Sequence, residues 1–188
     1  MEYVEAIRDI KHIQAMKKVL KMHSQRDYLL FVLGINTGIK ITEMLDIKVS
    51  DVAENNGKVK DSLHLFCMDK NKQKSIHLNR KAKAAIKEYL AAVNLNQDDY
   101  LFKSSKTDKP ISRQQAYRII NDAAKEVGIT AKIGTNSLRK TFGFHAYKRG
   151  VAISLLQEYF HHSTPAETMK YIGVTKAEKI VTEIDVNL

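Results

Sequence analysis

Only one cysteine, Cys67, occurs in this chain of 188 residues, so no disulfide framework and no cysteine-built zinc site can form. A lone thiol fits a reducing, cytoplasmic compartment. There are only two prolines, far apart, while hydrophobic residues make up 44%, a balance that excludes a disordered or low-complexity chain. Long apolar runs are missing too. The longest, residues 28–35, is too short to cross a bilayer, and charges interrupt every turn of the N-terminal segment, so neither a membrane span nor a signal peptide is read. Acids are absent or scarce in two stretches. Residues 62–87 hold one acid, Asp69, against Lys70, Lys72, Lys74, Arg80, Lys81, Lys83 and Lys87, and residues 127–157 hold none against Lys132, Arg139, Lys140, Lys148 and Arg149.

What is present is positive charge, a formal +10, which favours a polyanionic partner, nucleic acid before an anionic membrane surface. Length predicts one domain with one shared core. Ile10, Ile13, Met16, Val19 and Leu20 form the apolar stripe of an amphipathic helix. Residues 24–36 predict a second helix, apolar nearly all round and therefore central, with Gly38 as its stop. Residues 41–45 read as a short helix and 49–52 as a connector. Strand character at 63–68 and 75–78, with turn residues Asp69, Lys70, Asn71 and Lys72 between, predicts a β-hairpin. Helices are expected from Asn79 to about 93, from Ser112 to about 127, and over 137–148, 153–159, 166–171 and 176–181. The fold class is mainly α with one small β-sheet or hairpin (α+β).

Three residue types stand out against this basic background. Arg139, the adjacent His161 and His162, and Tyr171 are the set that attack on a phosphodiester would need. A tyrosine hydroxyl beside a fixed guanidinium and an imidazole can serve as a nucleophile, with the cation stabilising charge on the phosphoryl oxygens. Taken singly each has a plainer role: Tyr171 as a half-buried packing residue, Arg139 as a surface charge. His161 and His162, being adjacent, point to different faces and do not share a metal, while His64, His77 and His145 read as packing or backbone contacts.

The order of four segments decides between these readings. Thr37-Gly38-Ile39-Lys40-Ile41-Thr42-Glu43-Met44-Leu45 closing at Asp51-Val52, the lysine-rich hairpin, Asn136-Ser137-Leu138-Arg139-Lys140-Thr141-Phe142, and Phe160-His161-His162-Ser163-Thr164-Pro165 with Thr168 and Tyr171 follow one another along the chain. Together they resemble the catalytic domain of the tyrosine recombinase (phage integrase) family. The resemblance implies that Tyr171 attacks the scissile phosphorus and leaves a 3′-phosphotyrosyl link, with no metal, nucleotide or other cofactor. It implies Arg139 as phosphate clamp, His162 as a hydrogen-bond donor to the same phosphate, and a hairpin lysine, Lys70 before Lys72, as leaving-group acid. Glu43 would hold the first-box cation Lys40, and Lys140 and His161 would support the site. Lys70, Lys72, Lys74, Arg139 and Lys140 would contact DNA.

Two residues depart from the family pattern. Lys40 stands where an arginine is usual and keeps the charge but loses the planar fork. Losing one oxyanion donor outright costs about 3–4 kcal/mol of barrier, and a lysine in its place costs less. Asn136 stands where a histidine is usual, and an amide cannot accept the Tyr171 proton at neutral pH. A slow enzyme is therefore expected. The implied partners are double-stranded DNA and further copies of the chain in a synaptic complex, with no membrane. A separate N-terminal core-binding domain is not expected within residues 1–188, and residues 181–188 read as an arm that docks on a neighbour or back in cis. The alternatives are a catalytically impaired DNA-binding or regulatory module of the same fold, and a helical adaptor for an acidic protein.

Overall fold

The computed structural model describes residues 4–67 and 72–175. In chain order, the elements are helices α1 (Ile10–His23), α2 (Gln25–Thr37), α3 (Ile41–Leu45) and α4 (Val49–Val52), strands β1 (Ser62–Cys67) and β2 (Lys72–His77), and helices α5 (Arg80–Ala92), α6 (Arg113–Glu126), α7 (Thr135–Lys148), α8 (Ile153–Phe160) and α9 (Pro165–Ile172). Local chemistry sets most of these boundaries. Ser24 separates α1 from α2 and accepts the Asp27 N–H, and Ser112 and Gln115 close a reciprocal cap at the start of α6. Residues 49–52, expected as a connector, instead form a helical turn, because the Asp51 carboxylate accepts the Lys48 backbone N–H at 2.8 Å. Ile10 is 51% exposed and so drops out of the expected buried stripe, which Ile13, Met16 and Leu20 carry.

Helix α2 is the central rod. Leu29, Leu30, Phe31, Val32 and Leu33 are all essentially inaccessible, and α1, α5 and α7 pack around them. The hairpin is antiparallel, with Ser62 opposite His77 and Cys67 opposite Lys72. Its tip, including Lys70, and the expected helix at 176–181 and arm at 181–188 lie outside the described residues.

A second, smaller apolar cluster of Phe144, Tyr147, Leu156, Phe160, Ile172 and Val174 joins α7, α8 and α9. Gly143 makes this junction possible. A Cβ there would lie 2.6 Å from Ile172 Cγ2 and 2.7 Å from Phe160 Cε2, so only a bare Cα lets α8 and α9 approach so closely. The N-terminal segment is stitched along α7 by bonds from Ile7 N–H to Thr141 Oγ1 (2.8 Å), from Lys140 Nζ to the Val4 carbonyl (2.7 Å), and between His145 Nε2 and the Ile7 carbonyl (2.9 Å). Arg8 reaches the Gly173 carbonyl at the end of α9. These contacts fix α9, and with it Tyr171, against α7.

Candidate active site

Arg139 is the anchor. It is buried on α7, 7% exposed, with Nη1 donating to the Gly38 carbonyl and Nη2 to the Phe160 carbonyl at 3.4 Å. Gly38 ends α2 in the left-handed conformation, φ 63°, which turns its carbonyl to the guanidinium and suits a residue without a Cβ. The guanidinium lies 4.5 Å from the Phe160 ring centroid. Among the described residues no carboxylate pairs with it. A buried, permanent cation held by carbonyls, with no acid paired to it among the described residues, suits an anion.

Phe160 is the hub around which the other two groups gather. Its centroid is 5.4 Å from that of Tyr171 and 5.5 Å from that of His162. The His162 and Tyr171 rings meet edge to face at 4.8 Å and 67°. His162 Nδ1 lies 3.0 Å from Oγ1 of the fully buried Thr168, whose hydroxyl donates in turn to the Thr164 carbonyl at 3.3 Å. Burial lowers the His162 pKa from its ordinary value, with Arg139 acting in the same direction and Glu167 opposing. Tyr171 is half-buried, and burial raises its phenol above the usual value, against the pull of the Arg139 charge and of a hydrogen bond from Arg139. Arg139 from α7, His162 from the connection between α8 and α9, and Tyr171 from α9 thus converge.

The remaining expected residues fall into place unevenly. Lys40 is exposed at the head of α3, two residues beyond Gly38, so its backbone is within about 7 Å of the residue whose carbonyl holds Arg139. Glu43 does not act as expected: its carboxylate accepts the Lys40 backbone N–H at 2.9 Å and so caps α3, leaving the ammonium to solvent. Asn136 is exposed one turn before Arg139, on the same face of α7. His161 caps α8 at φ 60° with its side chain exposed, beside an open cleft of about 350 Å³ that it lines with Ser154, Gln157, Glu158 and His162.

Lys140 corrects the expectation of a DNA contact. It is 8% exposed, its ammonium bonds the Val4 carbonyl, and it sits 5.2 Å from the Tyr171 ring centroid, so it faces the protein interior. Burial lowers its pKa. Lys72 belongs to the last described rung of the hairpin. The hairpin cation seen beside the site is Lys74, 3.7 Å from the Tyr159 ring centroid.

Sequence reasoning missed Tyr159. Its hydroxyl donates to the Thr37 carbonyl, its ring packs 5.4 Å from Phe142, and burial pushes its pKa up to about 12. It forms a shelf between Arg139, 5.8 Å away, and Lys74. No sequence signal marks it, because the contact with Thr37 bridges distant parts of the chain. Among the described residues no group of histidine, cysteine or acidic side chains could hold a metal ion.

Residues 7–178 match the phage integrase family over nearly the whole chain. The chain belongs to that family. A phage integrase relative of similar length, the probable integrase/recombinase YoeC of Bacillus subtilis strain 168, is 41% identical over 174 residues, covering 93% of this chain and 92% of that protein. The crystal structure of XerA recombinase superposes with a TM-score of 0.74 at 20% identity, covering 94% of this chain and 61% of that one. XerH site-specific recombinase, bound to palindromic difH substrate in a post-cleavage complex, gives a TM-score of 0.72 at 17% identity, covering 94% and 51%. At those identities the two structures establish the fold. The chain spans about half to three-fifths of their length.

Proposed function

We propose that this phage integrase family member performs site-specific DNA recombination, breaking and rejoining strands through a covalent 3′-phosphotyrosyl intermediate. One observation carries the reading: the buried, acid-free Arg139 guanidinium lies against the same aromatic hub as Tyr171 and His162. Tyr171 is the nucleophile, and the guanidinium fork grips two nonbridging oxygens where charge builds up in the transition state. The exposed Lys40 adds a point charge from the head of α3. Lys74 of the hairpin contacts the DNA backbone, as do Lys70 and Lys72 in this reading, one of which protonates the leaving 5′ oxygen; the side chains of those two lie outside the described residues. Exchanging one phosphodiester for another conserves bond energy, so no nucleotide or metal cofactor is called for.

The partners are double-stranded DNA and further copies of this chain, since strand exchange needs two duplexes held together. Among the described residues no helix is long and apolar enough to cross a membrane, and the working location is the DNA of the cytoplasm.

The test is a nicked suicide duplex carrying a candidate site. A denaturation-resistant protein–DNA adduct is expected, absent in Tyr171→Phe. A salt-sensitive gel shift with no adduct would instead mark a DNA-binding module in which catalysis has decayed.

A further inference from the structure

We propose that His162 is the general base that takes the Tyr171 proton, filling the role for which the second box offers only Asn136. The inference rests on the strand-cleavage reading and adds the proton's destination to it. Asn136 is exposed on α7, and its amide has no basic lone pair near neutral pH. Arg139 never gives up its proton, and Lys140, although burial lowers its pKa, has its ammonium turned to the Val4 carbonyl at 2.7 Å.

His162 differs in having a hydroxyl partner on one ring nitrogen, with Thr168 Oγ1 at 3.0 Å from Nδ1. We assign the Thr168 hydroxyl proton to the Thr164 carbonyl, 3.3 Å away, which makes Nδ1–H the donor to Thr168. This assignment comes from the hydrogen-bond chain, and it leaves Nε2 with a free lone pair in the neutral ring. The ring stands edge to face with the Tyr171 ring. Burial, together with Arg139 from α7, discourages its protonation against the pull of Glu167 from α9, so its pKa lies below the ordinary histidine value and the neutral ring is favoured.

The step balances as follows. The Tyr171 hydroxyl proton passes to His162 Nε2 as the phenol oxygen bonds to phosphorus. The P–O5′ bond breaks, and the leaving oxygen takes a proton from a hairpin ammonium or water. The new imidazolium then donates Nε2–H to a nonbridging oxygen, so His162 becomes the phosphate donor only after it has acted as base. In the reverse step it returns the proton to Tyr171.

The sign of the pH dependence tests this. A neutral base loses activity as pH falls through its pKa, whereas an imidazolium needed from the outset gains it. Single-turnover adduct formation should therefore fall about tenfold per pH unit below the His162 pKa. His162→Gln should lower the plateau by about 100- to 10,000-fold and abolish that acid limb, with salt-sensitive DNA binding retained as proof of folding. Asn136→His in the His162→Gln background should restore part of the rate and a new acid limb. A wild-type rate that rises on acidification, or a His162→Gln variant that keeps the acid limb, overturns the proposal. If the wild type forms no adduct at any pH, the strand-cleavage reading falls with it.

Discussion

Replacing Gly143 with alanine should separate the catalytic groups while leaving the fold nearly as stable. The added methyl would sit 2.6 Å from Ile172 Cγ2 and 2.7 Å from the Phe160 ring, where ordinary van der Waals contact is 3.4–4 Å. Neither neighbour can yield easily, since Ile172 is wholly buried and Phe160 is held among Arg139, His162 and Tyr171. Helices α8 and α9 must therefore back away from α7 by about 1 Å, a displacement that costs on the order of 100-fold in rate when it misplaces a reacting group. Overpacking costs about 1–3 kcal/mol, and alanine recovers about 1 kcal/mol in helix propensity. The net loss of stability is thus about 0–2 kcal/mol, at most roughly 8 °C in Tm. Single-turnover adduct formation beside a thermal melt reads both quantities. A Gly143→Ala variant that cleaves at the wild-type rate would refute the argument that this contact sets the position of Tyr171 against Arg139.

Lys40→Arg should speed adduct formation several-fold, up to about tenfold, by restoring the fork within reach of the phosphate, and an unchanged rate would remove Lys40 from the site. Thr141→Val removes the buried acceptor of the Ile7 N–H and should destabilise by about 1–3 kcal/mol, read as a lower denaturant midpoint at unchanged slope. Tyr159, with its folded pKa near 12 against about 10 unfolded, binds its proton more tightly when folded; its share of stability is complete below pH 10 and is lost as pH climbs toward 12. Alkaline melts of Tyr159→Phe should lack that part of the decline, and an identical profile would contradict the assignment. Lys74→Met should reduce the salt dependence of DNA binding by about one phosphate contact, with no change in slope if Lys74 serves only as a partner for the Tyr159 ring.

The features legible in the sequence are those written in neighbouring residues. Apolar residues 29–33, bounded by Ser24 and Gly38, announce a central helix with both its ends, and Ser112 announces the start of α6. The ordered boxes named Arg139, His162 and Tyr171, and the fold brings them onto one aromatic hub. Features set by tertiary contact were hidden. Lys140 reads as one more basic residue until the N-terminal segment is laid across α7 and offers it the Val4 carbonyl. Glu43 reads as the residue that holds Lys40 in place, and the structure shows it accepting the Lys40 backbone N–H. Tyr159 gains its role from a carbonyl at Thr37 and a lysine on the hairpin, neither of which local pattern connects to it.

The most direct measurement is to locate the covalent bond. Protease digestion of the adduct formed on a suicide duplex, followed by mass spectrometry, should place the DNA 3′-phosphate on the peptide containing Tyr171, bonded to its phenol oxygen. Attachment at Tyr159, at any other side chain, or to a 5′-phosphate would contradict the account.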